Sequence, residues 1–321
     1  MLSYAYKIPG VIKYGPVALS LLKSLGLSKF SDMFIKHTFF KQFCGGETLE
    51  EVNPVIVSLK KRGIGTILDL AVENKINPGI FNLIRDTIDY TPQGNFVALK
   101  MSALIPENAL TQQDFKVITQ VLPCIHGLCQ YAKKRNVKLM FDAEHSVIQP
   151  AIDDIVIDLC KIYNVNEVTI YHTYQLYLKD SHSRLIKDLE NARKQNYKIG
   201  IKLVRGAYMN SEQRDLIHDT IQNTHENYNN LVEYLIRKKE SSTVLATHNE
   251  ESIQKAINLI KRHKLPKHSV GFAQLFGMKN ELTCSLASSG YNVYKYIPYG
   301  SVSIAMPYLI RRAQENSDIL I

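Results

Sequence analysis

Arg311 and Arg312 stand side by side near the carboxyl end of the chain, with Tyr308 one turn before them and Glu315 one turn beyond. On a helix, spacings of three, four and seven residues place all four side chains on one face. Two adjacent guanidiniums present forked donors that grip a carboxylate bidentately, and an acid one turn on can orient both. The pattern implies a site for a small carboxylic acid. A solvated charged face would show the same spacing, but Tyr296 and Tyr308 set aromatic bulk beside the charge. This helix must follow the β-branched and aromatic run Tyr291–Tyr296, turning at Pro298 and Gly300.

The run is the last of eight. Strands are expected at Ile64–Leu70, Phe96–Met101, Lys138–Phe141, Glu167–Tyr171, Gly200–Val204, Thr243–Ala246, Ser269–Phe272 and Asn292–Tyr296, with helical stretches between them. Thr111–Asp114 and Asn249–Ser252 have the composition of helix N-cap starts. Residues 74–94 are the least patterned interval. Eight β-then-α units without hairpin signals predict an α/β fold, a (β/α)8 TIM-type barrel, with residues 1–62 as an N-terminal helical appendage and 63–321 as the barrel. A doubly wound sheet would want G-x-G-x-x-G after the first strand, and the sequence has none.

Barrel active sites sit at the C-terminal strand ends. Here those ends supply Asp69 and Glu73, Lys100, Asp142 and Glu144, Gln175, Lys202 and Arg205, Thr247-His248-Asn249, Gln274 and Leu275, and Tyr296. Each alone has a structural explanation: Asp142 as a cap, Lys100 paired with Glu144, His248 as a buried histidine. Polar ends on so many strands favour a site. Asp142, Glu144, His145, His172 and His248 leave a metal-dependent barrel hydrolase open, although the first strand lacks a His-x-His; a Schiff-base aldolase on Lys100 or Lys202 is a further option.

The 321 residues suffice for one large core. No apolar run approaches the roughly 18 residues of a membrane span. Net charge is +9, but Lys and Arg are dispersed without interleaved aromatics, which argues against nucleic acid and leaves acidic lipid as the better partner. Five cysteines form no CxxC pair, consistent with a reducing compartment. The first 41 residues hold six Lys, one Asp and no Arg, a poor match to a mitochondrial presequence. Amphipathic helices are expected from Leu19 to Phe40.

Read together, Leu99–Leu104, Phe141–Glu144, Thr173–Leu178, Lys202–Tyr208, Ala246–Asn249, Gln274–Met278, Tyr294–Gly300 and Tyr308–Asn316 resemble the proline dehydrogenase family. The stretches Lys-Leu-Val-Arg-Gly-Ala-Tyr and Tyr-Leu-x-Arg-Arg-x-x-Glu-Asn are the most specific. Departures include Ala273 where relatives often carry Gly, and His145 where a second acid is common.

The resemblance implies a flavoenzyme that oxidises L-proline to 1-pyrroline-5-carboxylate, passing hydride to the N5 of FAD and electrons onward to quinone. It implies Arg311, Arg312 and Lys100 around the substrate carboxylate with Glu315 fixing the arginines, Tyr208, Leu275, Tyr296 and Tyr308 around the ring, and Asp142 holding Tyr296. The FAD contacts it implies are Gln175, Lys202, Val204, Arg205, Gly206, Ala207, Thr247, His248, Asn249 and Glu315, without a metal. It further implies mitochondrial placement on the matrix side of the inner membrane, peripheral membrane contact, and a separate pyrroline-5-carboxylate dehydrogenase downstream. Hydroxyproline dehydrogenases share most of these motifs. They tend to carry Ser at the position of Tyr296, so proline is the expected substrate.

Overall fold

The computed structural model describes residues 39–72, 79–239 and 242–318. Residues 1–38 and Glu73 lie outside this set, as does the side chain of Glu315, so the expectations placed on them are not addressed. Eight parallel strands close into a barrel in sequence order: β1 Gly65–Leu70, β2 Phe96–Leu99, β3 Lys138–Phe141, β4 Ile170–Gln175, β5 Gly200–Val204, β6 Thr243–Ala246, β7 Val270–Leu275 and β8 Asn292–Tyr299. Helix α1 (Leu49–Lys61) precedes β1. The main helices after the successive strands are α2 (Ile80–Tyr90), α3 (Phe115–Lys134), α4 (Gln149–Tyr163), α5 (Ser181–Lys194), α6 (Ile221–Lys238), α7 (Glu250–Arg262), α8 (Asn280–Ser288) and α9 (Val302–Asp318).

Local chemistry explains the element ends. In α1, Thr48 caps the N-terminus, accepting from the Glu51 N–H, with Glu50 and Glu51 in the first turn and Lys60 and Lys61 in the last, each sign at the favourable end of the helix dipole. Its buried stripe of Leu49, Val52, Ile56 and Leu59 faces the barrel. Asn249 caps α7 as expected, its Oδ1 accepting from the Ser252 N–H at 2.8 Å. The cap of α3 is Asp114, while Thr111 ends a separate short helix, Glu107–Thr111.

Five strands depart from their expected bounds: β1 starts one residue later, β2 ends at Leu99 rather than Met101, β7 runs Val270–Leu275 rather than Ser269–Phe272, and β4 and β8 shift for reasons visible in their bonding. β4 begins at Ile170 rather than Glu167 because the Asn164 side chain seizes the preceding backbone: Oδ1 accepts from the N–H groups of Thr169 and Ile170, both at 2.9 Å, and Nδ2 donates to the Ile170 carbonyl. β8 continues through Pro298 to Tyr299, since the prolyl carbonyl accepts from Gly45 N–H at 2.8 Å and Gly46 bridges to Tyr299. The segment just before α1 thus extends the pairing at this corner of the barrel.

The lower barrel interior is filled by Phe96, Tyr171 and Tyr294, packed edge to face with centroids 4.9–5.0 Å apart. Gly65, Gly200 and Gly271 make room for these rings, because a Cβ on any of them would press on Tyr171 or Tyr294. With the floor filled by these rings, the strand-end side chains border open space at the upper, C-terminal end.

Candidate active site

A cavity of about 390 Å³ opens at that upper end. Its wall contains every described substrate and cofactor contact implied by the resemblance and, of the described strand-end groups, all but Glu144, which is buried against Ser102. The expected carboxylate and ring contacts (Lys100, Tyr208, Leu275, Tyr296, Tyr308, Arg311, Arg312) and cofactor contacts (Gln175, Lys202, Val204, Arg205, Gly206, Ala207, Thr247, His248, Asn249) all border it, together with Asp142. Strand register gathers them: Lys202 lies opposite Thr173, Val204 opposite Gln175, and Tyr296 opposite both Leu275 and Ile67.

The charges are interlocked. The Lys202 ammonium bonds Asp142 Oδ1, and the other carboxylate oxygen accepts from the Tyr296 hydroxyl at 2.7 Å. Lys100 donates to both oxygens of Asp69 at 3.1 Å. Burial pushes the Asp69 pKa up, and the Lys100 charge opposes that shift. Burial first, then Asp142 and Asp69, lift the Tyr296 phenol well above its usual range, so it stays a neutral donor. Three tyrosines each carry a cation near the ring: Arg311 lies 5.7 Å from the Tyr208 centroid, Arg312 5.2 Å from Tyr308 and Lys202 5.2 Å from Tyr296. Cationic heads beside flat apolar faces suit an acid with a compact hydrocarbon ring.

Arg205 is fixed on all sides. It donates from Nε to His225 Nδ1 at 2.9 Å, and from its terminal nitrogens to Thr247 Oγ1 at 2.7 Å and Ser252 Oγ at 2.9 Å, over the Tyr228 ring. It therefore braces the wall made by β5, β6, α6 and α7. Gln175 donates to the Glu144 carbonyl at 2.8 Å, and its Oε1 faces the Ala207 N–H at 3.4 Å. Gly206 sits at φ 129° against the Tyr177 ring, where a Cβ would overlap the ring. His248 Nε2 accepts from the Leu275 N–H at 3.0 Å. Burial, with Lys295, Arg312 and Lys279 adding to it, holds that imidazole down to about 4, so it is neutral at pH 7.

Sequence reasoning did not single out Thr173, His225 or Ser252. His225 and Ser252 lie within helices, where no strand-end rule points, and only the Arg205 geometry brings them in. The ligand set of the hydrolase alternative is dispersed among other partners. Asp142 is taken by Lys202 and Tyr296, Glu144 binds Ser102, and His172 faces Asp153 at 2.9 Å. Among the described residues no cluster of three or more His, Cys, Asp or Glu is arranged to hold a metal ion. Lys100 bonds Asp69 rather than standing as an unmatched nucleophile, and Lys202 bonds Asp142, which gives the aldolase alternative no support.

Comparison with known proteins bears on the family and the fold. The proline dehydrogenase family model matches residues 52–320. The chain is 32% identical to proline dehydrogenase 1, mitochondrial, of Dictyostelium discoideum over 94% of its own length and 65% of that protein's. It is 28% identical to hydroxyproline dehydrogenase of Xenopus laevis over 97% of its length and 80% of the relative's. Among solved structures, proline utilization A from Bdellovibrio bacteriovorus, inactivated by N-propargylglycine, superposes with a TM-score of 0.82 at 19% identity, covering 98% of this chain and 37% of that one. The chain thus spans less than two thirds of the Dictyostelium protein and little more than a third of the bacterial one. Matched along most of its length, with the barrel and its cavity in place, the chain belongs to the proline dehydrogenase family.

Proposed function

We propose that this protein oxidises L-proline to 1-pyrroline-5-carboxylate. The observation that carries this reading is the meeting of Lys100, Arg311 and Arg312 with Tyr208, Tyr296 and Tyr308 on one cavity. The arginine forks hold the carboxylate, and Lys100 adds a third positive charge. That field disfavours a further positive charge on the substrate, so the ring amine gives up its proton to solvent. Tyr208, Tyr296 and Leu275 pack the ring and exclude water, and Asp142 fixes the Tyr296 ring through its hydroxyl. No covalent nucleophile is needed.

FAD is the cofactor proposed. The donor set fits it: Gln175, Lys202, Thr247, His248 and Asn249 line one wall with an amide, a cation, a hydroxyl, a neutral imidazole and a second amide. When bound, FAD supplies the two-electron acceptor for the ring carbon beside the nitrogen. The Lys202 cation would stabilise negative charge gained by the reduced ring system. A quinone acceptor, a mitochondrial site matching the names of several relatives, peripheral contact with an acidic membrane, and a separate pyrroline-5-carboxylate dehydrogenase complete the proposal. Among the described residues no helix is long and apolar enough to cross a membrane. The test is the visible spectrum of the purified protein: a flavin spectrum bleached anaerobically by proline supports the reading, and a flavin that proline leaves oxidised overturns it.

A further inference from the structure

Lys295 is a buried charge that the proposed chemistry leaves without a task. It lies in β8 between Tyr294 and Tyr296 and is 2% exposed. Neighbours along a strand face opposite ways, so the two tyrosines enter the barrel while Lys295 points out toward the helix layer. Among the described residues no carboxylate pairs with it. Its ammonium donates instead to two backbone carbonyls, Leu275 at 3.2 Å and Met278. These flank the turn from β7 to α8. Burial brings the Lys295 pKa down to about 8, so the ammonium is still the prevailing form at pH 7.

The same turn is held from two other sides. The Leu275 N–H donates to His248 Nε2, and Gln42 Nε2 donates to the Gly277 carbonyl at 2.9 Å. Both backbone polar groups of Leu275 are therefore taken by side chains from elsewhere in the barrel, His248 of the loop after β6 and Lys295 of β8. The turn in turn supports the cavity: Leu275 lines it, and Met278 packs in one cluster with Val302, Tyr308 and Leu309 of α9, the helix that bears Arg311 and Arg312. An ammonium withdrawn from water is costly, and a methionine of similar length would fill the space without that cost. Holding the turn is the return on burying it.

Resting on the proline-oxidation reading, we propose that Lys295 is a positioning residue of the carboxylate site: its ammonium fixes the turn that carries Leu275 and seats α9, and so sets the spacing between the pocket wall and the arginine pair. It acts without touching the cavity. The experiment compares FAD-loaded parent and Lys295→Met in steady-state and anaerobic reduction kinetics. The expected result is parental flavin content, a KM for proline raised ten-fold or more, and a kcat changed less than three-fold. A Lys295→Met enzyme that binds FAD with a parental KM overturns the proposal, because a role in bulk stability alone would lower Tm and leave KM in place. If that variant does not fold, Lys295→Gln, one bond shorter and uncharged, carries the same test: a KM raised three-fold or more supports the proposal, and a parental KM overturns it. Should proline fail to reduce the parent flavin, the substrate reading falls separately. Lys295 is then judged by cyclopentanecarboxylate titrated against the flavin spectrum, where ten-fold weaker binding in the variant supports the role and equal binding overturns it.

Discussion

Asp142 at the end of β3 accepts the Tyr296 hydroxyl of β8 at 2.7 Å, joining residues 154 positions apart across the mouth of the barrel. The same carboxylate holds Lys202 of β5, so one acid links a proposed substrate contact to a proposed cofactor contact. Tyr296 is thereby fixed in rotation, with its ring set against the space proposed for the pyrrolidine. A 4-hydroxyl on that ring would have to displace it. Proline is expected to be favoured over trans-4-hydroxyproline by about 1 to 3 kcal/mol in kcat/KM, and Tyr296→Ser should move the ratio toward hydroxyproline. Equal efficiencies in the parent would remove the specificity argument.

Arg311→Met and Arg312→Met should each raise the KM for proline roughly ten- to a hundred-fold, because each deletes charge-assisted bonds worth about 1.5 to 3 kcal/mol. Flavin content should barely change. A near-normal KM in either variant would take the carboxylate away from that arginine.

Lys202→Met removes the cation paired with Asp142. We expect FAD to remain bound with a lower reduction potential, as a positive neighbour of the reduced flavin is lost. Potentiometric titration of the two proteins decides it, and an unchanged potential counts against this placement of Lys202.

Acid stability should depend on His248. Its folded pKa is held to about 4, against an ordinary value of 6.5. Between those values the unfolded chain binds more protons than the folded one, so stability rises with pH across the window and is lost on acidification from 6.5 toward 4. The loss attributable to this group is about 3 kcal/mol at most. Urea midpoints measured from pH 7 to 4.5 should fall more steeply for the parent than for His248→Gln; parallel curves would refute the buried neutral imidazole.

Gly206→Ala should cost about 2 to 4 kcal/mol, since the residue sits at φ 129° and the added methyl would overlap the Tyr177 ring. Differential scanning calorimetry reads this directly. A Tm within a degree of the parent would show that the β5 end relaxes freely.

Much of this protein was written in local sequence. Strand and helix alternation follows from hydrophobic period and caps such as Asn249, and the placement of polar residues just after each strand follows from barrel topology, so the strand-end part of the cavity wall could be named before any coordinates, while Tyr208, Val204, Gly206 and Ala207 came from the family resemblance. Arg311, Arg312 and Tyr308 share a helix face by spacing alone. The Asn164 hold on the start of β4 was hidden, because a side chain bonding backbone beyond its own turn leaves no periodic trace.

Pairing was decided by tertiary structure. Strand ends offer Asp69, Lys100, Asp142 and Lys202 without stating who meets whom, and barrel closure sets Lys100 on Asp69 and Lys202 on Asp142. His225 and Ser252 enter only because Arg205 reaches two helices at once. Lys295 reads in the sequence as one polar residue inside a strand; its partners are backbone carbonyls, which carry no residue identity and so no sequence signal. Side-chain type and period determine which elements form and what they can offer, while the low-dielectric meeting of those offers, where each buried charge must find a partner, exists only once the barrel has closed.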